Sequence, residues 1–444
     1  MKRKYLALAA MLCCGTGFAA DGNREYYQTD AEQHAGIAQV SCQQCGETSY
    51  GDISCGCEVA EPSCGFEPTC SAEPSCGFDS CDNFCDETGY SIFDRGCECD
   101  LGDPLVLFGE CGNFSMGGWA SVGYHSEGLN GTFNTRPDNV QLQQGWLYAE
   151  KAIDTSNGFD IGGRMDYIYG TDGQDTQAFG IDNDSWDNDW NNGPDYGHAI
   201  PQLYAEVGYG DWSVKAGHFY TIIGWEVVQA TGNFFYSHAY TMYNSEPFTH
   251  TGALATYSGL EKVDLYGGYV MGWDSGFDDN GDSFLGGASL AISDDVALTY
   301  AVVGGVFANN QDAFEKGYMH SLVADVSLTD DLQYVFQSDL LSSEDRVGGT
   351  VRETFGINQY LIRSINDCFA VGARFEWYQT EGTLGVPVGD NTDIYALTLG
   401  VNYRPHANVT IRPEMRWDWD EQENIGLKDG DSQSTFGIDS VFTF

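Results

Sequence analysis

Apolar and polar residues alternate along the chain from residue 112 to residue 444. The alternating stretches are about 10–14 residues long, and a tilted strand that crosses a membrane needs roughly 9–11 residues. Strands are predicted at 112–125, 140–154, 157–170, 199–209, 212–223, 249–258, 262–273, 282–292, 295–308, 317–328, 331–342, 353–364, 368–379, 392–403, 408–419 and 433–444. The pattern therefore predicts about sixteen strands.

The connections between these strands alternate between short and long. Thr155-Ser156 and Ser293-Asp294 are short turns, whereas 171–198 and 224–248 are long loops. Short turns on one rim and long loops on the other are typical of transmembrane barrels. The sequence thus predicts an all-β fold, a transmembrane antiparallel β-barrel over 112–444, in contact with outer-membrane lipid.

Two faces can be read on three of the strands, where an apolar set opposes a charged set. The apolar face is expected to meet lipid and the charged face to line the interior. The residues predicted to line the pore are Asp160, Arg164, Asp166, Arg374, Glu376, Arg412, Glu414, Arg416 and Asp418. Opposing charges could set a field across the pore, or neighbouring Arg and acidic side chains could pair and brace the wall. For strands 295–308 and 353–364, the sequence does not show which residues face lipid and which face the interior.

Aromatic residues collect near strand ends. Tyr269, Trp273 and Trp377 lie toward the long loops, and Trp212 and Tyr403 lie toward the short turns. Aromatic side chains are enriched at both membrane–water interfaces. These positions predict two aromatic girdles.

The composition narrows the function classes. The 444-residue chain has 66 Asp+Glu against 19 Lys+Arg, a net charge of −47, which excludes non-specific nucleic-acid binding because that needs basic patches. Mean hydropathy is −0.31, and beyond residue 20 no apolar run has the length of a membrane helix. The surplus of acids in the barrel region predicts a preference for cations.

The first twenty residues have a basic start, an apolar stretch and a small-residue end. This is the pattern of a secretory signal peptide. The 1–20 segment is therefore predicted to be removed on export.

Residues 21–111 form an acidic, cysteine-rich segment. Twelve of the 15 cysteines fall between Cys42 and Cys111, and Glu61-Pro-Ser-Cys-Gly-Phe66 recurs at 73–78. An exported segment with few branched apolar residues is expected to be largely irregular and held by disulfides, with zinc binding as the alternative. Cys368 stands alone and is free, pairs with a flexible cysteine of this segment, or bonds another chain, which would be a disulfide-linked envelope partner.

Three stretches carry a resemblance to a known family. They are Gly217-His-Phe-Tyr-Thr-Ile-Ile-Gly-Trp-Glu226, Asn233-Phe-Phe-Tyr-Ser-His238 and Tyr243-Asn-Ser-Glu-Pro-Phe-Thr-His250. They resemble the OmpL-like outer-membrane β-barrel porin family over about 112–444. The final strand, Phe436–Phe444, is similar to the C-terminal assembly signal of bacterial outer-membrane barrels. The resemblance implies a barrel and a pore in the outer membrane, and no particular solute.

Two long loops hold candidate functional residues. In sixteen-stranded porins the third long loop narrows the pore, and loop 224–248 is unusually aromatic. The predicted constriction residues are Glu226, Phe234, Phe235, Tyr236, His238, Tyr243 and Glu246. Loop 171–198 is acidic, so Asp182, Asp184, Asp187 and Asp189 are candidates for a loosely bound divalent cation, with a solvated acidic loop as the alternative.

The sequence carries no catalytic motif, since it lacks a Gly-x-Ser-x-Gly elbow, an HExxH pair and a P-loop. We expect a porin that passes small hydrophilic solutes or cations by diffusion, without a cofactor, and a homotrimer by analogy with porins. The alternative is a structural anchor that links the outer membrane to envelope components through the cysteine-rich segment.

Overall fold

The computed structural model describes residues 99–108, 110–278, 280–309 and 313–444. The predicted signal peptide and residues 21–98 of the cysteine-rich segment lie outside this range. Within the described part, no helix is both long and apolar enough to cross a membrane.

Sixteen long antiparallel strands and two strands of two residues form one sheet. The strands are β1 Glu110–Cys111, β2 Phe114–His125, β3 Gln141–Lys151, β4 Phe159–Gly170, β5 Asn191–Asn192, β6 Tyr196–Tyr209, β7 Trp212–Tyr220, β8 Thr249–Leu260, β9 Val263–Val270, β10 Ser283–Ser293, β11 Val296–Asn309, β12 Phe314–Thr329, β13 Leu332–Glu344, β14 Thr350–Asn366, β15 Phe369–Glu381, β16 Thr392–His406, β17 Val409–Asp420 and β18 Ser432–Thr443. Neighbouring long strands pair in chain order, and β18 pairs with β2. The barrel is closed, so the predicted count of sixteen is confirmed.

Alternation sets the two faces of the wall. On β4, Phe159, Ile161 and Met165 are exposed on the outside, while Arg164 and Asp166 are buried on the inside. The structure also settles the two strands whose faces the sequence leaves open. Val303 of β11 and Tyr360 of β14 point inward. An apolar outer face of this extent requires lipid around it.

One predicted girdle residue lies elsewhere. Trp273 is buried and packs against Phe307, with ring centroids 4.6 Å apart. The strand has ended at Val270, and Gly272 at φ +91° turns the chain inward. The prediction that Trp273 lies at the membrane interface is therefore wrong, whereas Tyr269 is exposed on the outer face.

The described residues before the barrel are attached to its short-turn rim. A disulfide joins Cys99 to Cys368 in the turn before β15, with Cα atoms 5.9 Å apart. The Ala407 N–H donates to the Leu101 carbonyl at 2.9 Å, and the Asn408 side chain bonds the backbone of Leu105. Of the three fates considered for Cys368, the structure shows pairing with a cysteine of the N-terminal segment.

Candidate functional site: a loop folded inside the barrel

The segment 221–248, between β7 and β8, lies inside the barrel. It contains a 3-10 turn at Ala230–Gly232 and the short helix α2, Tyr240–Ser245, which follows α1, Asp172–Asp175, in the chain. Six of the predicted constriction residues are buried there: Glu226, Phe234, Phe235, Tyr236, His238 and Glu246. The seventh, Tyr243, is partly buried and donates its hydroxyl to Asp175 at 2.7 Å. We call this segment the inward loop.

The first part of the inward loop is organised by one amide. The Asn233 side chain accepts from the Val227 N–H at 3.0 Å and donates to the Gln229 carbonyl at 2.9 Å. Gly224 has φ +87°, and a Cβ there would meet the Glu246 carboxylate, so glycine is required at this close approach. The two ends of the loop are thus in contact.

Arg374 of β15 is the central clamp. Its guanidinium lies 2.6 Å from Glu226 Oε1 and also donates to the Ser237 carbonyl at 2.6 Å. Both charged side chains are buried. The Glu226 carboxylate accepts further bonds from the Ala239 N–H and the Tyr360 hydroxyl, at 2.8 and 3.1 Å. A buried pair of this kind is stabilised by the further hydrogen bonds that each partner makes, although Arg374 Nε has no partner.

Two acids of the wall hold backbone N–H groups of the loop. Glu376 accepts from the N–H groups of Tyr240 and Thr241, at 2.9 and 2.7 Å, at the start of α2. Glu414 accepts from Tyr236 and Ser237 at 2.9 and 3.1 Å. These carboxylates satisfy donors that no strand partner would reach.

Two arginines of β17 hold backbone carbonyls instead. Arg412 donates to the carbonyls of Ala230 and Asn233, both at 2.7 Å, and is itself held by Asp439. Arg416 donates to the His238 carbonyl at 2.6 Å and pairs with Asp418 at 2.8 Å. Asp439 was not identified from the sequence, although it sits at an interior position of the last strand.

The three remaining predicted wall residues lie away from the inward loop. Arg164 pairs with Asp166 and Glu150, at 2.7 and 2.9 Å. Asp160 pairs with Lys151 near the short-turn rim. These contacts have the geometry of side chains that pair and brace the wall.

The opposite part of the inner wall is apolar. The side chains that face inward from β8–β13 are mainly aliphatic, and they pack with Phe219, Ile223, Trp273 and Phe307. They are Leu254, Val270, Leu285, Ala301, Val303, Met319 and Leu341. Toward the short turns, the inward residues Glu206, Lys215 and Thr256 are polar and only partly buried. The sequence did not indicate this apolar half.

Every long strand contributes a buried inward side chain. In strand order they are Trp119, Trp146, Asp166, Gln202, Phe219, Leu254, Val270, Leu285, Val303, Met319, Leu341, Tyr360, Arg374, Ala396, Arg416 and Thr435. Two cavities beside the loop measure about 10 Å³ each, close to the space of one water. The charged wall residues of β15–β17 therefore face the loop, and the barrel interior around the loop is packed.

The acidic loop after β4 places its candidate aspartates apart. Asp187 is buried and accepts from the N–H groups of Ala178 and Ile200 at 2.9 and 2.8 Å. Asp182, Asp184 and Asp189 are exposed. Burial raises the pKa of Asp187 to about 6. In the described part of the chain, no three His, Cys, Asp or Glu side chains gather as metal ligands.

A family model described as "Putative beta-barrel porin-2, OmpL-like" matches residues 113–444. The chain belongs to this family of porins. The match confirms the resemblance noted in the sequence, and it places this porin in the outer membrane. No curated protein matches the sequence.

Three solved structures of other proteins share the fold. OmpT of Vibrio cholerae in its trimer form has a TM-score of 0.51 at 12% identity and covers 76% of this chain and 100% of its own. An anion-selective porin from Comamonas acidovorans has a TM-score of 0.51 at 10% identity, with 74% and 99% covered. OmpF of Salmonella typhi, in complex with daunomycin, has a TM-score of 0.51 at 12% identity, with 75% and 98% covered. At these identities the likeness concerns the fold alone.

Proposed function

We propose that this porin passes small hydrophilic solutes and cations by passive diffusion, and that the inward loop sets its aperture. The observation that carries the proposal is the clamp of Arg374, Glu376, Glu414 and Arg416 on the loop backbone. This clamp fixes the loop against β15–β17. The solute path then runs on the other side, where the loop meets β8–β13 mainly through apolar contacts, although Gln337 of β13 bonds Trp225 and Glu246. It leads toward the partly buried polar residues Glu206, Lys215 and Thr256.

A preference for cations follows from the charge. Residues 112–444 carry a net charge of −33, and the four arginines of the wall at 164, 374, 412 and 416 are all paired with acids. The uncompensated charge near both mouths is therefore acidic and raises the local concentration of cations. Exposed aspartates such as Asp182 and Asp184 would hold divalent cations loosely in the same field.

Conductance in a planar bilayer tests this proposal. Purified full-length protein should give regular conductance steps, and the reversal potential under a salt gradient should show cation preference. Clear anion preference would contradict the charge argument, and a silent bilayer would contradict conduction itself. A homotrimer, as in the trimer form of Vibrio cholerae OmpT, is proposed for this chain and should appear as steps in groups of three.

A second candidate function is a structural anchor, without catalysis or transport. The packed interior favours it, as does the disulfide that fixes the N-terminal segment to the short-turn rim. A barrel that serves only as an anchor would give no steps in the bilayer. It would also be recovered from membranes as disulfide-linked complexes that reductant separates.

A further inference from the structure

A second pair of acids lies where the end of the inward loop meets β12–β14. Glu246 of the loop and Asp339 of β13 both accept a hydrogen bond from Nε2 of Gln337, at 2.6 and 2.8 Å. The two carboxylates therefore flank one nitrogen atom. Glu246 is 5% exposed and Asp339 1% exposed, so both lie away from solvent.

These two carboxylates have no cationic partner. The nearby Glu226 is neutralised by Arg374 at 2.6 Å. In the described part of the chain, Glu246 and Asp339 form no ion pair with Lys, Arg or His. His320 stacks on Tyr318 and is tilted against Tyr300, both of which are exposed on the outer face of the barrel. Its imidazole interacts electrostatically with Asp339 but forms no ion pair with it. Two uncompensated buried carboxylates are costly, so the pair must take up positive charge.

Neutral oxygen atoms surround the pair. Ser321 of β12 lies directly opposite Asp339, and Asn358 of β14 lies opposite Gln337. All four residues are on the inner face, and opposed side chains start about 4.5–5.5 Å apart. The Ser321 Oγ, the Asp339 Oδ1 and both amide atoms of Asn358 are buried without a hydrogen-bond partner. Such atoms are rare in folded proteins, and a bound ion is one explanation for the unpartnered oxygens.

We propose that Glu246, Asp339, Ser321 and Asn358 bind one Ca²⁺ ion. Two carboxylates balance its charge, and with bidentate binding the four side chains offer the six or more oxygens that Ca²⁺ takes. Mg²⁺ fits less well because it demands octahedral geometry and keeps several waters, which a buried site does not supply. The ion would join the end of the inward loop to the wall, whether or not the barrel conducts.

Thermal unfolding with and without calcium tests the site. Full-length protein in detergent is stripped with chelator and heated at physiological ionic strength, and unfolding is followed by tryptophan fluorescence. Calcium should raise the midpoint and magnesium should raise it less. Asp339→Asn should weaken the apparent calcium affinity by more than about tenfold. Asp294→Asn, in an exposed short turn away from both the site and the acidic loop, is the matched control and should keep the wild-type response.

Two results would overturn the site. One is a calcium response that is absent from the wild type or unchanged in Asp339→Asn. The other is a thermal unfolding midpoint that falls as pH rises but does not change with calcium, because the two carboxylates would then share a proton. Should Asp339→Asn fail to fold, Asn358→Ala replaces it, because this variant keeps both carboxylates. It should fold and lose calcium affinity, and a full calcium response in it would also refute the site.

Discussion

On β15–β18 the inner wall is charged and holds the backbone of the inward loop through Arg374, Glu376 and Arg416. On β8–β13 it is mainly aliphatic and meets the loop through side chains such as Leu285 and Leu341, packed with Ile223. Gln337 of β13 adds hydrogen bonds to the loop there. Hydrogen bonds are directional, and they fix the loop in one position. Apolar contact is non-directional and proportional to area, so it allows the loop to part from the wall. This difference between the two walls predicts that the loop separates from β8–β13 and stays attached to β15–β18.

The largest effect is expected for Arg374→Met. The change leaves Glu226 buried without its partner, and breaking a buried pair costs about 3–5 kcal/mol. Urea unfolding in detergent should show this loss, and channel recordings should become noisy as the loop is released. Arg363→Met removes an exposed pair with Asp331, worth about 0–1 kcal/mol. Equal losses for the two variants would remove the distinction between a clamp and a surface pair.

Leu341→Ala tests the apolar half. Leu341 is fully buried, and such truncations cost about 2–5 kcal/mol. The clamp on the opposite wall stays intact, so channel noise should match the wild type although stability falls. Leu361→Ala, on the outer face and 44% exposed, should cost less because detergent or lipid refills the space. Channel noise as large as that of Arg374→Met would show that both halves of the inner wall hold the loop equally.

Glu376→Gln is expected to have a smaller effect. The amide oxygen still accepts a bond at the start of α2, but the charge that favours a helix N-terminus is lost, at about 0.5–2 kcal/mol. The Tyr240 and Thr241 amides should exchange hydrogen faster in the variant. Glu353→Gln, at an exposed site on β14, is the control and should leave these amides unchanged.

A local, pH-dependent effect is expected outside both halves, in the acidic loop. Because the pKa of Asp187 is raised to about 6 from its ordinary 3.8, the closed loop binds the proton more tightly than the open loop. The extra stability that this proton gives the closed loop is fully present below about pH 4 and is lost as pH rises through 6. Protection factors of the Ala178 and Ile200 amides should fall by up to about 100-fold over that window. Asp187→Asn should abolish the dependence, and its persistence there would assign it to another group.

Local pattern was sufficient to predict the barrel. Strands such as β17 alternate strictly between Ile411, Arg412 and Pro413, because one face meets lipid and the other meets polar partners. The apolar half did not follow from this rule. On β11 both faces are apolar, with Val303 inside and Tyr300 outside, so alternation carries no signal there.

Long-range contacts explain the rest of the gap between sequence and structure. Aromatic content suggested that the inward loop is packed, yet nothing near Glu226 in the sequence names Arg374, which lies 148 residues away. The pairing of Glu246 with Asp339 through Gln337 likewise spans 91 residues between Glu246 and Gln337. In the sequence, the acids of such pairs are recognisable only as charged positions, because their partners come close only in the folded barrel.

The bond between Cys99 and Cys368 also acts on the unfolded chain. It closes a ring of 269 residues in sequence separation, which contains every strand from β1 to β14. A ring of this size loses about 5–6 kcal/mol of chain entropy before folding begins. The unfolded porin is thus a closed ring, and the segment that forms β15–β18 is a free tail attached to it. Pairing of β18 with β2 joins that tail to the ring.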